Sequence, residues 1–325
     1  MAKVSQYGQG FTNGLVVRGL PINQVHPGKV FYVNNSSVLP EGGIGGSNSN
    51  DGSYLRPFST IDYAVSRCTA NRGDIVLVMP GYTQSVSAAA GLGLDVAGVA
   101  VIGLGSGSKR PTITLDTANT ADIDVSAANI SIQNMIFVAN FLAIATCFEM
   151  VSATDFTVEY CEFRDTSSVL NFVNIIDTDA VANGNDGLYF CHNQIYSLST
   201  TAATTAIEID EAISRLKVND NFYVGAVLNN TPALIEAAAF DMTNLEVARN
   251  VVFRPNTDTA TGGILLEGTT TASTGMVYGN HCKTLDVAGM LIMTTGSALG
   301  FHENYLSGTA DSSGIIIPAA DSDGS

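Results

Sequence analysis

The fold is decided by five stretches that share one pattern: LYFCHNQI (188–195), LKVNDNFY (216–223), LEVARNVV (245–252), GMVYGNHC (275–282) and LGFHENYL (299–306). The pattern is an apolar residue, any residue, an apolar residue, two polar or small residues, Asn, one more residue and usually an apolar one. Looser copies precede them: VAVIGLGS (99–106), ISIQNMIF (130–137) and FTVEYCEF (156–163). Successive copies begin 24 to 32 residues apart. A fixed period of this length is the mark of a repeat architecture.

A second apolar strand lies between the copies of this pattern. Its copies are CFEMV (147–151), FVNII (172–176), AIEID (206–210), ALIEA (233–237), GILLE (263–267), GMLIM (289–293) and a final SGIIIP (313–318). Both strand types are short and alternate with period two, whereas a helical repeat needs apolar positions at i, i+3, i+4 and i+7. An antiparallel sandwich would also place turns every 8–12 residues, but it does not predict Asn at one register.

We therefore predict an all-β fold, a right-handed single-stranded parallel β-helix of about nine coils with three strands in each coil. The Asn that recurs in the pattern is expected to form a structural ladder along the axis. Asn tolerates left-handed backbone geometry, and stacked Asn side chains can hydrogen-bond between coils. Met135 and Cys161 occupy the same slot in earlier coils, so the ladder should begin later. Its members are Asn193, Asn221, Asn250, Asn280 and Asn304.

The segment before the coils predicts a short N-terminal helix that closes the open end of the stack. The string STIDYAVSRC offers Ser59 as the helix N-cap, with Asp62 three residues later. An exposed strand edge invites aggregation, and a helix can cover it. The expected organisation is an N-terminal attachment arm (1–28), a strand, loop and capping helix (29–73), the parallel β-helix (74–318) and a disordered tail (319–325).

The strings GSNSNDG (46–52), RPFSTIDYAV (56–65) and RGDIVLVMPGYTQSV (72–86) closely resemble the start of pectate-lyase-like right-handed β-helix proteins. The string VAVIGLGSGSKRPTITLD (99–116) resembles their first coil. With its N-terminal RGLPINQVHPGKVFYVNNSSVLP (18–40), the whole chain is also similar to small β-helix proteins encoded among the structural genes of tailed bacteriophages. The resemblance implies a fold more than a function, because this fold serves enzymes, adhesins and virion proteins alike.

The composition of the chain indicates which classes of partner are disfavoured. The formal net charge of -16 disfavours binding to nucleic acid and to anionic membranes. No apolar run approaches the ~20 residues of a membrane span, and the first residues lack the pattern of a secretion signal. The five cysteines are scattered and odd in number, which argues for small buried side chains in a reducing cytoplasm.

Candidate chemistry is sparse in the sequence. GLGSGSKR (103–110) lacks the phosphate-loop spacing and is expected to be a coil corner. Acid pairs suited to glycoside hydrolysis, and oxygen ligands for calcium, are present without a recognisable motif. The four histidines have no metal-ligand spacing. We assign no catalytic residue, cofactor or metal site. The acids considered were Glu159 with Glu162, Asp177 with Asp179, Glu208 with Asp210, and Asp186.

The expected function is that of a bacteriophage virion structural protein, not an enzyme. We expect a homotrimer that decorates the capsid and contacts the major capsid protein through its N-terminal arm, after synthesis in the host cytoplasm. The alternative is a tail spike or fibre that binds a surface glycan as an adhesin or depolymerase. A cellular polysaccharide lyase or hydrolase is a further alternative.

Overall fold

The strands recur along the chain in a fixed order of three, and each lies beside its counterpart from the neighbouring coil. The computed structural model describes residues 15–17, 20–22, 28–178, 184–199, 204–225, 233–238, 240–253, 264–267, 273–283, 291–293, 298–307 and 314–316. In these residues the chain forms a parallel β-solenoid with three long sheets, and the all-β prediction is confirmed.

Sheet I has ten parallel strands. They are β3 (Val30–Val33), β4 (Ile75–Val78), β7 (Ala100–Gly103), β10 (Ser131–Gln133), β13 (Thr157–Glu159), β16 (Tyr189–Cys191), β20 (Lys217–Asn219), β24 (Leu245–Ala248), β27 (Thr274–Tyr278) and β30 (Ala298–His302). The first of these, β3, was expected to belong to the opening module. It pairs in parallel with β4 and so extends sheet I by one strand at its N-terminal edge.

Sheet II follows sheet I in each coil. Its strands are β5 (Thr83–Val86), β8 (Thr112–Leu115), β11 (Ile136–Ala139), β14 (Glu162–Asp165), β17 (Gln194–Ser197), β21 (Phe222–Gly225), β25 (Val251–Phe253), β28 (His281–Lys283), β31 (Asn304–Ser307) and β32 (Gly314–Ile316). Strand β32 runs antiparallel to β31. We had expected the SGIIIP segment to continue the second strand series. It instead folds back on the last strand of sheet II.

Sheet III completes the coil and consists of the second strand series. Its strands are β6 (Leu92–Leu94), β9 (Ile123–Val125), β12 (Ile144–Met150), β15 (Phe172–Thr178), β18 (Thr205–Ile209), β22 (Ile235–Ala238), β26 (Ile264–Glu267) and β29 (Leu291–Met293). Among the described residues, eight coils thus supply a strand to all three sheets, and β30 with β31 begins another. The count differs slightly from the expected nine because the chain reverses at β32.

Two further strand pairs lie outside the three sheets. Strands β1 (Leu15–Val17) and β2 (Leu20–Ile22) form an antiparallel pair within the expected attachment arm. Strands β19 (Ile213–Ser214) and β23 (Met242–Thr243) pair in parallel at the corner that returns the chain from sheet III to sheet I. The remainder of the arm before residue 28, and the expected tail at 319–325, lie outside the described residues.

The core is built by the alternation that the sequence predicts. In β4, β7 and β8 half-buried residues alternate with fully buried ones, because every second side chain points into the coil. Phenylalanines stack inside the coils: the rings of Phe137 and Phe163, which are partners in register, have centroids 5.2 Å apart and are nearly parallel. Each such ring contributes about 1.5–3 kcal/mol through burial.

The helix α1 (Ile61–Ser66) packs against β3, β4 and β6 at the first coil and buries Ile61, Ala64 and Val65. Its N-cap is Thr60, whose side chain accepts a hydrogen bond from the Tyr63 N–H at 3.3 Å. The prediction of Ser59 was wrong by one residue.

The Ser59 hydroxyl instead donates to the Asn48 side-chain oxygen at 2.8 Å and so fixes the preceding loop. Among the described residues, no helix has the length and apolar character required to cross a membrane.

Candidate functional site

The five expected ladder asparagines are buried at the corner between sheets I and II. The Oδ1 of Asn221 accepts the backbone N–H of Asn193 at 2.9 Å, and Asn250 accepts that of Asn221 at 3.0 Å. The same bond joins Asn250 to Asn280 and Asn280 to Asn304. Each side-chain Nδ2 also donates to a strand carbonyl of the preceding coil. We call these five residues the Asn column.

The Asn column begins where the sequence indicates. Cys161 occupies the slot one coil earlier, and its N–H donates to Asn193 Oδ1 at 2.9 Å. Our reason for Asn was partly wrong, however, because the left-handed backbone belongs to the residue before it. His192, Asp220 and Arg249 have φ of 57°, 58° and 55°. Asn is needed for its side chain, which forms hydrogen bonds with backbone N–H and C=O groups at the corner that are not paired within a sheet.

Three further buried polar side chains hold the other corners, and sequence reasoning missed all of them. Asn185 Oδ1 accepts the Ala153 N–H at 2.8 Å, and Glu211 Oε1 accepts the Asn185 N–H at 2.9 Å. At the corner between sheets II and III, Asp165 accepts backbone N–H groups from Phe172 and Leu198. Burial raises the pKa of Asp165 to about 6. Only their spacing of about one coil could have signalled these groups.

The structure places the acids considered from the sequence in different surroundings. Glu159 lies in sheet I, whereas Glu162 lies in sheet II, where Arg110 and Arg164 pair with it. Asp186 accepts from the backbone and hydroxyl of Ser214. Asp179 lies outside the described residues. Within the described residues, no group of three or more His, Cys, Asp or Glu side chains is placed to hold a metal ion.

The outer face of sheet III carries a column of carboxylates that we call the acidic column. Its members are partners in register in five consecutive coils: Asp124, Glu149, Asp177, Glu208 and Glu236. All five are half-buried. Neighbouring coils are about 4.8 Å apart, so like charges face each other at short range.

Members of the acidic column have raised pKa values. Burial, followed by repulsion from Glu208, Glu149 and Asp210, raises the pKa of Asp177 to about 7. Burial and the charge of Asp210 also raise the pKa of Glu208, although the Asn174 side-chain amide donates a hydrogen bond to it. Near neutral pH the acidic column therefore holds a carboxyl that is much harder to ionise than an exposed one.

A cleft of about 290 Å³ opens at the corner beside the start of the Asn column. One side is formed by Tyr160 and His192, whose rings stack with centroids 4.9 Å apart and planes 8° apart. The GLGSGSKR corner, with a short 3-10 turn at Gly107–Lys109, also lines the cleft. The Asn134 amide fixes this corner by donating to the carbonyls of Gly103 and Gly105. The cleft thus offers an aromatic platform and polar groups to a small ring-shaped ligand.

Comparison with known proteins gives one distant similarity. No protein-family model matches the chain, and no curated protein matches it. One solved structure, a rhamnogalacturonan lyase, is similar over 89% of this chain and 90% of its own, at 16% sequence identity and a TM-score of 0.39.

Proposed function

We propose that the protein is a bacteriophage virion protein that decorates the capsid, and that residues 1–28 attach it to the major capsid protein. The proposal places the protein in the virion after synthesis in the host cytoplasm. It draws on the resemblance of residues 18–40 and of the coil repeat to small phage β-helix proteins. The structural observation that carries it is the point at which the chain enters the stack.

The chain enters the stack at the end that α1 covers. The Lys29 N–H donates to a carboxylate oxygen of Asp74 at 2.6 Å, and the Thr69 N–H donates to the other oxygen at 2.7 Å. Arg72 completes the cluster with two hydrogen bonds to the same carboxylate. Burial alone would raise the pKa of Asp74, but Arg72 and the two N–H groups lower it to about 2.

Because the chain is anchored where it enters the stack, the arm and the stack can have separate roles in this proposal. The Asp74 cluster holds residue 29 at one end, so the segment before it can bind a partner without disturbing the coils. The ten strands of sheet I give a stack roughly 40 Å long, at about 4.8 Å per coil. An arm at one end and a stiff stack beyond it suit a protein that projects from a particle surface.

The test is deletion of residues 1–28. We expect the shortened chain to keep the circular dichroism spectrum and melting temperature of the full chain, but to lose co-sedimentation with capsids of the encoding phage. A full-length chain carrying the surface substitution Met276→Glu serves as the binding control. Undiminished capsid binding by the shortened chain would contradict the proposal.

A second candidate function is glycan binding by a tail spike or fibre, and the cleft at Tyr160 and His192 favours it. Stacked rings exposed beside Arg110 and Gln194 can pack on a sugar face while the polar groups bind hydroxyls. The volume of about 290 Å³ suits one sugar unit or two.

This candidate is tested with a panel of bacterial surface polysaccharides, measuring both binding and chain cleavage. Tyr160→Ala should lower the affinity about tenfold or more if the platform is used. The matched control is Tyr278→Ala, because Tyr278 stacks on His302 at the same corner, with centroids 5.1 Å apart, four coils away. If both variants and the parent chain bound the polysaccharide with equal affinity, the cleft would not be the glycan-binding site.

A further inference from the structure

We propose that the hairpin of the N-terminal arm, formed by β1 and β2, docks on the outer face of sheet I at the end where the chain enters the stack. The first three strands of that sheet, β3, β4 and β7, carry outward residues in two rows that are in register. We call these six residues the entry face. They are Val30, Ile75 and Ala100 in one row, and Tyr32, Leu77 and Ile102 in the other.

The entry face is apolar and has a sharp boundary. Val30 is 41% exposed and the other five residues are half-buried, whereas the residues that alternate with them along each strand are buried. Tyr54, also 41% exposed, packs edge-on against Tyr32 with ring centroids 5.4 Å apart and extends the face. The face ends at β10, where the two rows continue with Ser131 and Gln133. An apolar patch confined to three strands of a longer sheet indicates a contact of limited size.

The hairpin has the composition that such a contact requires. Its register pairs Leu15 with Ile22 and Val17 with Leu20. Partners across an antiparallel pair share a face, so the pairing places four large aliphatic residues on one face of the hairpin. A two-stranded hairpin is at best marginally stable in water by itself, and it gains stability by packing on an apolar surface. Three residues in each strand make this one especially short.

The length of the connecting chain selects the hairpin as the occupant of the entry face. The steps from Ile22 to Gly28 span at most about 22 Å, and Val30 of the entry face follows two residues later. The Asp74 carboxylate fixes this point of the chain by accepting the Lys29 N–H at 2.6 Å. A short linker gives the hairpin an effective concentration in the millimolar range. A separate molecule at micromolar concentration therefore competes poorly for the face.

The dimensions of the two surfaces also agree. Three strands at about 4.8 Å spacing make the entry face roughly 10 Å across, which is the width that two paired strands and their side chains can cover. The strands of sheet I present a regular pleated surface, and one pleated surface packs well on another at a separation of about 10 Å.

The inference does not depend on the proposed virion function, because it concerns the purified chain alone. Docking favoured tenfold corresponds to about 1.4 kcal/mol. In a chain of 325 residues this changes the melting temperature by only about 2 °C. The experiment must therefore measure whether the entry face is covered and not how stable the protein is.

Thiol reactivity measures this covering. Leu77→Cys places a thiol on the entry face, and its reaction with a bulky maleimide should become about tenfold faster after deletion of residues 1–28. The native thiols add little background, because four are buried and burial raises the pKa of the fifth, Cys68, to about 12. Circular dichroism verifies the folding of each variant, and Tyr54→Cys serves if Leu77→Cys does not fold.

A matched pair of substitutions within the hairpin tests which of its faces is used. In the full-length Leu77→Cys chain, Leu20→Asp should raise the reaction rate as the deletion does, because it places a charge between two apolar surfaces. Val16→Asp, at the alternate register position, should leave the rate unchanged. Thiols at Val38→Cys and Met276→Cys, both exposed outside the entry face, should react equally with and without the arm.

An unchanged reaction rate at Leu77→Cys after deletion of the arm would overturn the inference. Equal effects of Leu20→Asp and Val16→Asp would do the same, as would protection of Val38→Cys in place of Leu77→Cys. Protection that increases with protein concentration would also overturn it, because a separate molecule would then cover the face.

Discussion

The Asn column and the acidic column repeat one kind of side chain once per coil, yet their energetic consequences are opposite. In the Asn column each amide donates and accepts, so Asn250 bonds to Asn221 on one side and to Asn280 on the other. In the acidic column Asp177 lies between Glu149 and Glu208, which only repel it when charged. One stabilises the stack, and the other opposes it at neutral pH.

In a parallel stack, a side chain at one register position has a counterpart in every coil. The interaction between neighbouring counterparts, whether favourable or unfavourable, is therefore repeated along the axis. A side chain that both donates and accepts gains one bond per coil, and burial strengthens each bond. A side chain that only accepts meets its own charge at about 4.8 Å in every neighbouring coil. The acidic column is tolerable because it lies on the outer side, where water screens part of the repulsion.

The largest effect is expected from Asn250→Asp, which inserts an acceptor into the Asn column. Asn250 Nδ2 donates to the Val218 carbonyl at 2.7 Å and to Asn280 Oδ1 at 2.9 Å. A carboxylate there faces two acceptor oxygens in a dry corner, which should cost about 3–5 kcal/mol in the free energy of unfolding at pH 8. Part of this should return on acidification, because the protonated carboxyl can donate once. Urea denaturation at both pH values measures it.

The control for this prediction is Asn244→Asp. Asn244 is exposed at a turn in the same coil, and the same exchange there should change stability by less than about 0.5 kcal/mol. If the two variants were destabilised equally, the Asn column would contribute nothing specific.

A smaller effect of opposite sign is expected from Asp177→Asn in the acidic column. The folded pKa of about 7 lies above the ordinary 3.8, so the parent chain loses stability as pH rises through that interval. Removing the charge should stabilise the protein by about 1–2 kcal/mol at pH 8, after allowance for solvent screening. The gain should vanish below about pH 4, where both states are protonated. Melting temperatures across this pH range test it, and a gain independent of pH would contradict the repulsion.

The smallest effect is expected at Asp220, an acid beside the Asn column that has a counter-charge. Hydrogen bonds from Arg249, at 2.8 and 2.7 Å, lower its pKa, so its stabilisation is present at neutral pH and lost as pH falls through the lowered value. Because the pair is partly exposed to solvent, which screens it, Asp220→Asn should cost about 0.5 kcal/mol. Raising the salt concentration to 1 M should remove most of this cost. A cost that salt does not change would exclude an ionic origin.

The sequence predicted the repeat well because its signal is local. Alternation within a strand and Asn at one register can be read from eight residues, and both recur. The N-cap was misplaced by one residue because Ser59 and Thr60 are both good caps, and only the contact with Asn48 shows which one is engaged elsewhere. The reversal at β32 was missed because an apolar strand looks the same in either direction.

The acidic column was missed for a different reason. We paired Asp177 with Asp179 and Glu208 with Asp210, which are two residues apart in the sequence. The structure instead aligns Asp177 with Glu149 and Glu208, 28 and 31 residues away. Coil length varies because the corner loops vary, so the residue that lies opposite another cannot be counted from the sequence.

The sequence by itself therefore determined the strand period, the three-strand coil, the Asn at the corner and the excess of negative charge. These follow from side-chain alternation and composition, which need no knowledge of distant neighbours. The tertiary structure decided which residues meet between coils, such as those of the acidic column and the stacked pair Tyr160 and His192. Backbone hydrogen bonding fixes that register across loops of unequal length, and so aligns five carboxylates on the outer face of sheet III.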